Sequence, residues 1–459
     1  PEQLGFSNGL LSVLGAGDYS AADGTDCRNY GGLQGLPEAR ALFGTMIGAA
    51  PDRVIVAGNS SLELMHDTVE WASLRGVPGS TAPWSSAKPA FVCPVPGYDR
   101  HFTICEAFGI EMLPVPLTGT GPDMDAVERL TASDPRIKGI WCVPKYSNPT
   151  GEVYSAEVAE RLAKMSTAAP DFRIFWDNAY AVHHLTPRRH DVANILSLCE
   201  QHGHADRALV YASTSKVTFA GAGVAVFAAS PANVKWLLQQ MERRTIGADK
   251  VNQLRHVRFL KNEAGIRALM EKHASSLVPK FAVVHDTFER LLGGTGVATW
   301  TKPDGGYFVS FDVQDGCARR VIELASQAGI TVVPAGSTFP HRKDPNDRNI
   351  RVAPSFPALD EVAKAAEGLA LATLVAASDA AGTTRFTRPM RSASTAATGS
   401  PVSRYCFARA GPTASGQMAT PPSPATMPTR TCGSPMVAVS AMKITSHSSA
   451  IEAPRPMAC

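Results

Sequence analysis

From about residue 30 to 377 the chain alternates short apolar runs with stretches of helical period. DRVIVAG (52–58) has the length and branched side chains of a buried strand. SSLELMHDTVEWASL (60–74) then carries the apolar spacing of an amphipathic helix. KPAFVCPVPGY (88–98), IKGIWCVPKYSNPTG (137–151), FRIFWDNAY (172–180) and RALVYASTSK (207–216) read as further buried strands, each ending in a polar loop. AEVAERLAKMSTA (156–168) fits a helix between two of them. Apolar strands separated by helices predict an α/β fold, a mainly parallel sheet covered on both faces. In such sheets ligand groups gather at the carboxyl ends of the strands, where the distinctive residues of this chain fall.

A long helical stretch is expected over about 231–292. GGYFVSFDV (305–313), a helix at 318–328, ITVVPAGSTF (330–339), NIRVAPSF (349–356) and a last helix at about 358–377 suggest a smaller α+β domain. The expected division is a short, truncated N-terminal segment (1–29), a large domain (30–290), a small domain (291–377) and a tail (378–459). The tail has no Leu and no Trp, is rich in Ser, Thr, Ala and Pro, and shows no periodicity. Such a segment cannot offset its ordering entropy by burial, so disorder is expected. Its Arg-rich, Leu-free composition also fits a frameshift product of GC-rich DNA.

The net charge of +3 belongs to that tail, whose seven Arg and one Lys outnumber Asp379 and Glu452 by six. Residues 1–377 then carry 36 basic and 39 acidic groups, a net of −3, which points to no nucleic-acid partner. No apolar run reaches the roughly 18–20 residues that cross a bilayer. No basic-then-apolar leader opens the chain, so a cytoplasmic location is expected. The nine cysteines show no metal-binding spacing. Cys93, Cys105 and Cys142 sit in apolar, strand-like contexts as buried thiols.

Four strand ends form a constellation. NPTG (148–151) follows one strand; Asp177 ends another 29 residues after Asn148, with Tyr180 three beyond; Lys216 closes the next. Each alone is weak, since NPTG is first of all a turn. Together they suit pyridoxal 5′-phosphate (PLP) chemistry. A lysine amine forms a Schiff base with the cofactor aldehyde and shuttles a proton. A carboxylate keeps the pyridine nitrogen protonated, and an Asn amide and a Tyr hydroxyl reach the ring oxygen.

On these motifs the chain from about 28 to 377 resembles the fold-type I PLP enzymes, in particular class I aminotransferases related to aspartate aminotransferase. The resemblance implies a homodimer in which Tyr30, in NYGGLQGLPEAR (29–40), reaches the neighbouring subunit's cofactor phosphate. It implies a phosphate cradle at Asn59, Ser60 and Ser61 in AGNSSLEL, joined by Ser213 and Ser215, and a ring-stacking Tyr98 in PGYDRHF. Asn148, Asp177, Tyr180 and Lys216 take the cofactor roles above, with Asn148 also at the substrate. Arg351, in NIRVAPSF, would bind the substrate α-carboxylate, a task suited to a planar fork. Arg28, Arg100 and Lys145 are all conceivable partners for a second carboxylate. His183 and His184 read as structural or as supports behind the site residues, not as catalytic groups, and the GG at 305–306 as a tight turn into its strand.

The chain departs from the pattern at Val224, where many relatives carry a phosphate-binding arginine eight residues after the lysine. It also begins without the family's further N-terminal segment. The expected activity is ping-pong transamination of an acidic amino acid, aspartate, with 2-oxoglutarate. A PLP-dependent lyase or decarboxylase, or a non-catalytic PLP-sensing domain, stays open as an alternative.

Overall fold

The computed structural model describes residues 2–382 and the two-residue strand Tyr405–Cys406. The remainder of the expected tail lies outside the described residues.

Seven strands form the main sheet: Val54–Val56 (β1), Ala90–Val95 (β2), Glu111–Pro116 (β3), Ile137–Cys142 (β4), Arg173–Asp177 (β5), Ala208–Ser213 (β6) and Ala225–Ala229 (β7). Their order is β1-β7-β6-β5-β4-β2-β3. Only β7 runs against its neighbours β1 and β6; every other pairing is parallel. β5, β6 and β7 are buried along their whole length. That burial is why β6, β7 and the centre of β5 read as apolar runs rather than as alternating patterns.

The two faces are covered by different helices. Val56, Val92, Ile140, Ile174, Trp176 and Val210 pack into one core, with residues of the helices Pro37–Ile47, Ala156–Lys164 and Lys250–Leu260. Ile55, Phe91, Trp141, Phe175, Tyr211 and Phe227 pack into the other, under Ser61–Arg75, Asp99–Ala107 and Pro231–Met241. An aromatic ladder crosses that second face: Phe91–Phe175 at 5.3 Å, Phe175–Tyr211 at 5.9 Å and Tyr211–Phe227 at 5.4 Å. Each such ring contributes roughly 1.5–3 kcal/mol by burial, which holds the strand ends at fixed spacing.

The single helical stretch expected over 231–292 is three helices: Pro231–Met241, Lys250–Leu260 and Glu263–Leu292. Local capping explains the breaks. Asp249 accepts from the Asn252 N–H, Lys261 adopts φ 64°, and Asn262 accepts from the Gly265 N–H. Cys105 lies on the helix Asp99–Ala107 rather than on a strand, and its sulfur accepts from the Trp141 Nε1–H at 3.3 Å. Cys93 and Cys142 are on β2 and β4; all three thiols are free and buried.

A second sheet of Ala298–Trp300 (β8), Val309–Val313 (β9) and Asn349–Val352 (β11) is antiparallel, in the order β11-β9-β8. It packs with Ala318–Gln327, Leu359–Ala380 and the C-terminal half of Glu263–Leu292 around Val284, Phe288, Phe311, Val321 and Leu369. ITVVPAGSTF supplies only the short strand Ile330–Thr331 (β10), because the chain turns at Gly336, φ 76°. There a Cβ would lie 2.2 Å from the Arg342 carbonyl oxygen. Among the described residues no helix is long and apolar enough to cross a membrane.

Candidate active site

The carboxyl ends of β4, β5 and β6 open on one mouth. Asp177 is the last residue of β5, in register with Tyr211, and is buried. Its Oδ2 lies 3.1 Å from His101 Nε2, while its Oδ1 is buried without a partner. His101 stacks on Trp141, with ring centroids 4.4 Å apart and planes 8° from parallel. The imidazole is thereby fixed in both position and plane, and it holds the carboxylate facing the mouth. His101 was not singled out from sequence; the available signal was its place one helical turn after Tyr98.

Lys216 follows β6 after a short turn. Its Nζ stands 4.9 Å from the centre of the Tyr180 ring. Burial holds the ammonium below the ordinary lysine value, and the Asp177 charge opposes that shift. The Lys216 carbonyl accepts from the Tyr307 hydroxyl at 2.9 Å, and His183 Nε2 lies 3.3 Å from the same oxygen. Burial, with the nearby Lys216 charge second, pushes the His183 imidazole down to about 3, so this ring is neutral at physiological pH. His183 thus contacts the backbone at Lys216, and Tyr307, not marked by the sequence, joins it there.

Gly305 and Gly306 do more than turn the chain into β9. A Cβ on Gly305 would fall 2.3 Å from the Tyr146 ring and 2.4 Å from the His183 carbonyl. The Gly306 N–H donates to that carbonyl at 2.8 Å. Their bare backbone lets the second sheet close against the mouth and carry Tyr307 to Lys216.

At one side of the mouth lies the N-terminus of the helix Ser61–Arg75. Ser60 caps it, accepting from the Glu63 N–H at 3.4 Å. The Ser215 hydroxyl donates to the Asn59 carbonyl at 3.1 Å, Ser213 bonds Ser215 at 3.1 Å, and the Asn59 amide donates to the Gly221 carbonyl at 3.2 Å. Asn59, Ser60, Ser61, Ser213 and Ser215 are therefore brought together at a helix start, a ready anion site. Val224 is fully buried in the apolar core with Val217 and Val226, and its N–H donates to Thr214 Oγ1 at 2.8 Å. An arginine placed there would lie in that core. The loop is fastened instead by Asn252, whose amide donates to the Ala222 and Gly223 carbonyls at 3.1 and 3.0 Å.

At the other side Arg351, on β11, is 3% exposed. Its Nη1 donates to Asp99 Oδ1 at 2.9 Å and to Asn148 Oδ1 at 3.3 Å. Its Nε is buried without a partner, and its Cζ sits 5.1 Å from the centre of the Phe308 ring. Tyr98 meets His101 edge-on at 5.0 Å, and burial together with Asp177 and Asp99 raises its hydroxyl well above the tyrosine norm.

Tyr30 is not drawn into this cluster and stands 83% exposed. Its loop is strapped down by Lys250, whose Nζ donates to the Asn29 and Gly31 carbonyls, both at 2.7 Å. Arg28 pairs with Asp26 and lies 3.4 Å over the Tyr19 ring. Lys145 donates to the Ala181 carbonyl at 2.8 Å, and burial pushes it down to about 8. Arg100 is the second residue of the helix Asp99–Ala107, beside Tyr98, where its charge favours ionisation of the Tyr98 hydroxyl.

A half-buried amine facing an incompletely bonded carboxylate, between a helix N-terminus and a buried arginine, is the layout of an amine-handling Schiff-base enzyme. The family model described as aspartate amino-transferase matches residues 1–384, and the chain belongs to that family. A Mycolicibacterium smegmatis protein carrying an aminotransferase name is 54% identical over 384 residues, covering 83% of this chain and 90% of that one. An aspartate aminotransferase of Corynebacterium glutamicum is 48% identical over 379 residues, 82% of this chain and 88% of its own. The crystal structure of an aspartate transaminase from Corynebacterium glutamicum superposes with a TM-score of 0.81 at 48% identity, over 83% of this chain and 89% of that one. The chain is an aminotransferase with the PLP-transferase fold, and the lyase, decarboxylase and sensor alternatives are not favoured.

Proposed function

We propose that this aminotransferase uses PLP to pass the amino group of aspartate to 2-oxoglutarate by a ping-pong mechanism, as a homodimer. The observation that carries the reading is the Lys216–Asp177 pair, an amine held below its ordinary pKa opposite a buried carboxylate with one oxygen unpartnered.

The residues present fit the cofactor. Asp177 Oδ1 is the free acceptor that a protonated pyridine nitrogen requires, and His101 keeps it aimed. The serine-lined helix start suits a phosphate, with Asn59, Ser60, Ser61, Ser213 and Ser215 around it. Asn148 accepts from Arg351 through its oxygen, which leaves the amide N–H₂ to donate toward the ring oxygen beside Tyr180. Tyr98 supplies an aromatic face. When bound, the cofactor supplies an electron sink that acidifies the substrate Cα–H.

The remaining work belongs to side chains of this protein. Lys216 Nζ, held below the ordinary lysine pKa by burial, would take the proton from the substrate Cα and deliver it to the cofactor's aldehyde carbon, two atoms along. Arg351 fixes the α-carboxylate and so orients the Cα–H toward that amine. Of the three cations considered for the second carboxylate, Arg28 and Lys145 have other partners. Arg100, beside Tyr98 and Asp99, is the one we assign. Donor and acceptor share the same carboxylate pattern, so one site serves both in turn. The exposure of Tyr30, on a loop clamped by Lys250, supports a contact with a second copy. Buried free thiols at six described cysteines support a reducing, cytoplasmic setting.

The test is visible absorption of the purified protein with PLP, before and after aspartate. A pH-sensitive band bleached by aspartate supports the whole reading. A band unchanged by aspartate refutes the acidic specificity. No band removes Lys216 as the anchor.

A further inference from the structure

The arginine assigned to the substrate carboxylate already has an anionic partner. Asp99 Oδ1 lies 2.9 Å from Arg351 Nη1; the guanidinium is 3% exposed and the Asp99 side chain 30%. Arg351 keeps its Nε buried and unpartnered, so the pair satisfies only part of the fork. Asp99 is also the first residue of the helix Asp99–Ala107, where a negative charge is favoured on its own account. That placement holds the carboxylate beside Arg351 whether or not substrate is present. A buried arginine left without a counter-ion is costly, and Asp99 relieves that cost in the resting enzyme.

We infer that Asp99 is a competing counter-ion for Arg351, and so a residue that sets carboxylate affinity in this site. This rests on Arg351 as the α-carboxylate anchor. A substrate carboxylate must share or displace Asp99, and it meets the repulsion of a second anion within a few ångströms, a sizeable effect where water is scarce. The consequence is a weakened hold on both substrates and products, which favours turnover over tight binding.

The test is calorimetric titration of the PLP-loaded protein with maleate, an unreactive dicarboxylate, at constant pH and salt. Asp99→Asn keeps the size and the helix-start preference but removes the charge. It should tighten maleate about tenfold, or roughly 1.4 kcal/mol, and lower KM for aspartate more than it changes kcat. Asp99→Glu should bind like the wild type, and Asp99→Ser serves if the Asn variant does not fold. A structural role cannot produce a gain of affinity. Unchanged or weaker binding in both neutral variants overturns the proposal. Arg351→Lys should weaken maleate at least tenfold; if it does not, the Arg351 assignment itself fails, independently of Asp99.

Discussion

The two sides of the mouth are built in opposite ways. The side at residues 58–61, 213–215 and 221–224 is made of neutral groups: serine hydroxyls, an asparagine and the N–H groups of a helix start, joined by hydrogen bonds near 3 Å. The side at residues 98–101, 148, 177 and 351 holds ionisable groups taken from water, Arg351 paired with Asp99 and the Asp177 carboxylate bonded to the His101 imidazole. A neutral cradle costs little to assemble and keeps its N–H groups ready for an anion. The charged side must carry internal partners or be prohibitively expensive to bury, so a ligand there works against an existing contact. On the proposed function, anion binding would be an addition at one end and an exchange at the other.

The sharpest way to break this picture lies between the two ends. Lys216→Ala should lower kcat by at least about 10³-fold, since general acid–base work alone contributes 10²–10⁴. It should also abolish the visible band while leaving the melting temperature within a few degrees. On the neutral side, Val224→Arg should destabilise the protein by about 3 kcal/mol or more, because it forces a charge into an apolar core. Denaturant unfolding would show this, and a stable, more active variant would mean that the position can face the anion after all.

On the charged side, Arg351→Lys keeps the charge but loses the fork. It should reduce kcat/KM about 10²-fold, mostly through KM, in line with other broken buried charge pairs. Ser60→Ala removes a helix cap, and should cost about 1 kcal/mol in unfolding experiments. The same change should weaken PLP binding more than it alters KM for aspartate.

The smallest effect concerns Glu152, just after NPTG, which accepts from the Gly119 N–H at 2.9 Å. Burial pushes this carboxyl up to about 7. A folded pKa above the unfolded one means that the neutral acid is the favoured folded form. Its contribution to stability is complete below about pH 4.3 and is lost as pH rises through 7. Glu152→Gln should flatten the dependence of melting temperature on pH between 4.5 and 7, measured by scanning calorimetry.

Much of the candidate site was legible along the chain. Asn148, Asp177 and Lys216 each end an apolar run, and in a parallel sheet those ends share one edge. The neutral cradle was equally readable, because Ser60 and Ser61 open an amphipathic helix and capping is a local preference. The charged side was half hidden. Arg351 stood out by resemblance, but its partner Asp99 lies 252 residues away, and His101 lies 76 from Asp177. Tyr307 reaches Lys216 across 91 residues. Nothing in a local window marks such pairs. The helix over 231–292 was misread for a smaller reason: its apolar period runs on, and two caps within it outweigh that continuity.

By itself the sequence determined the alternation of strands and helices, the caps, and which reactive side chains stand at strand ends. These follow from burial period and backbone preference, which act over a few residues. The tertiary structure alone decided which charge neutralises which, why Val224 is an apolar core residue, and that a glycine pair lets the second sheet bring Tyr307 to Lys216. Those outcomes depend on desolvation and close approach, and both exist only once distant segments have met.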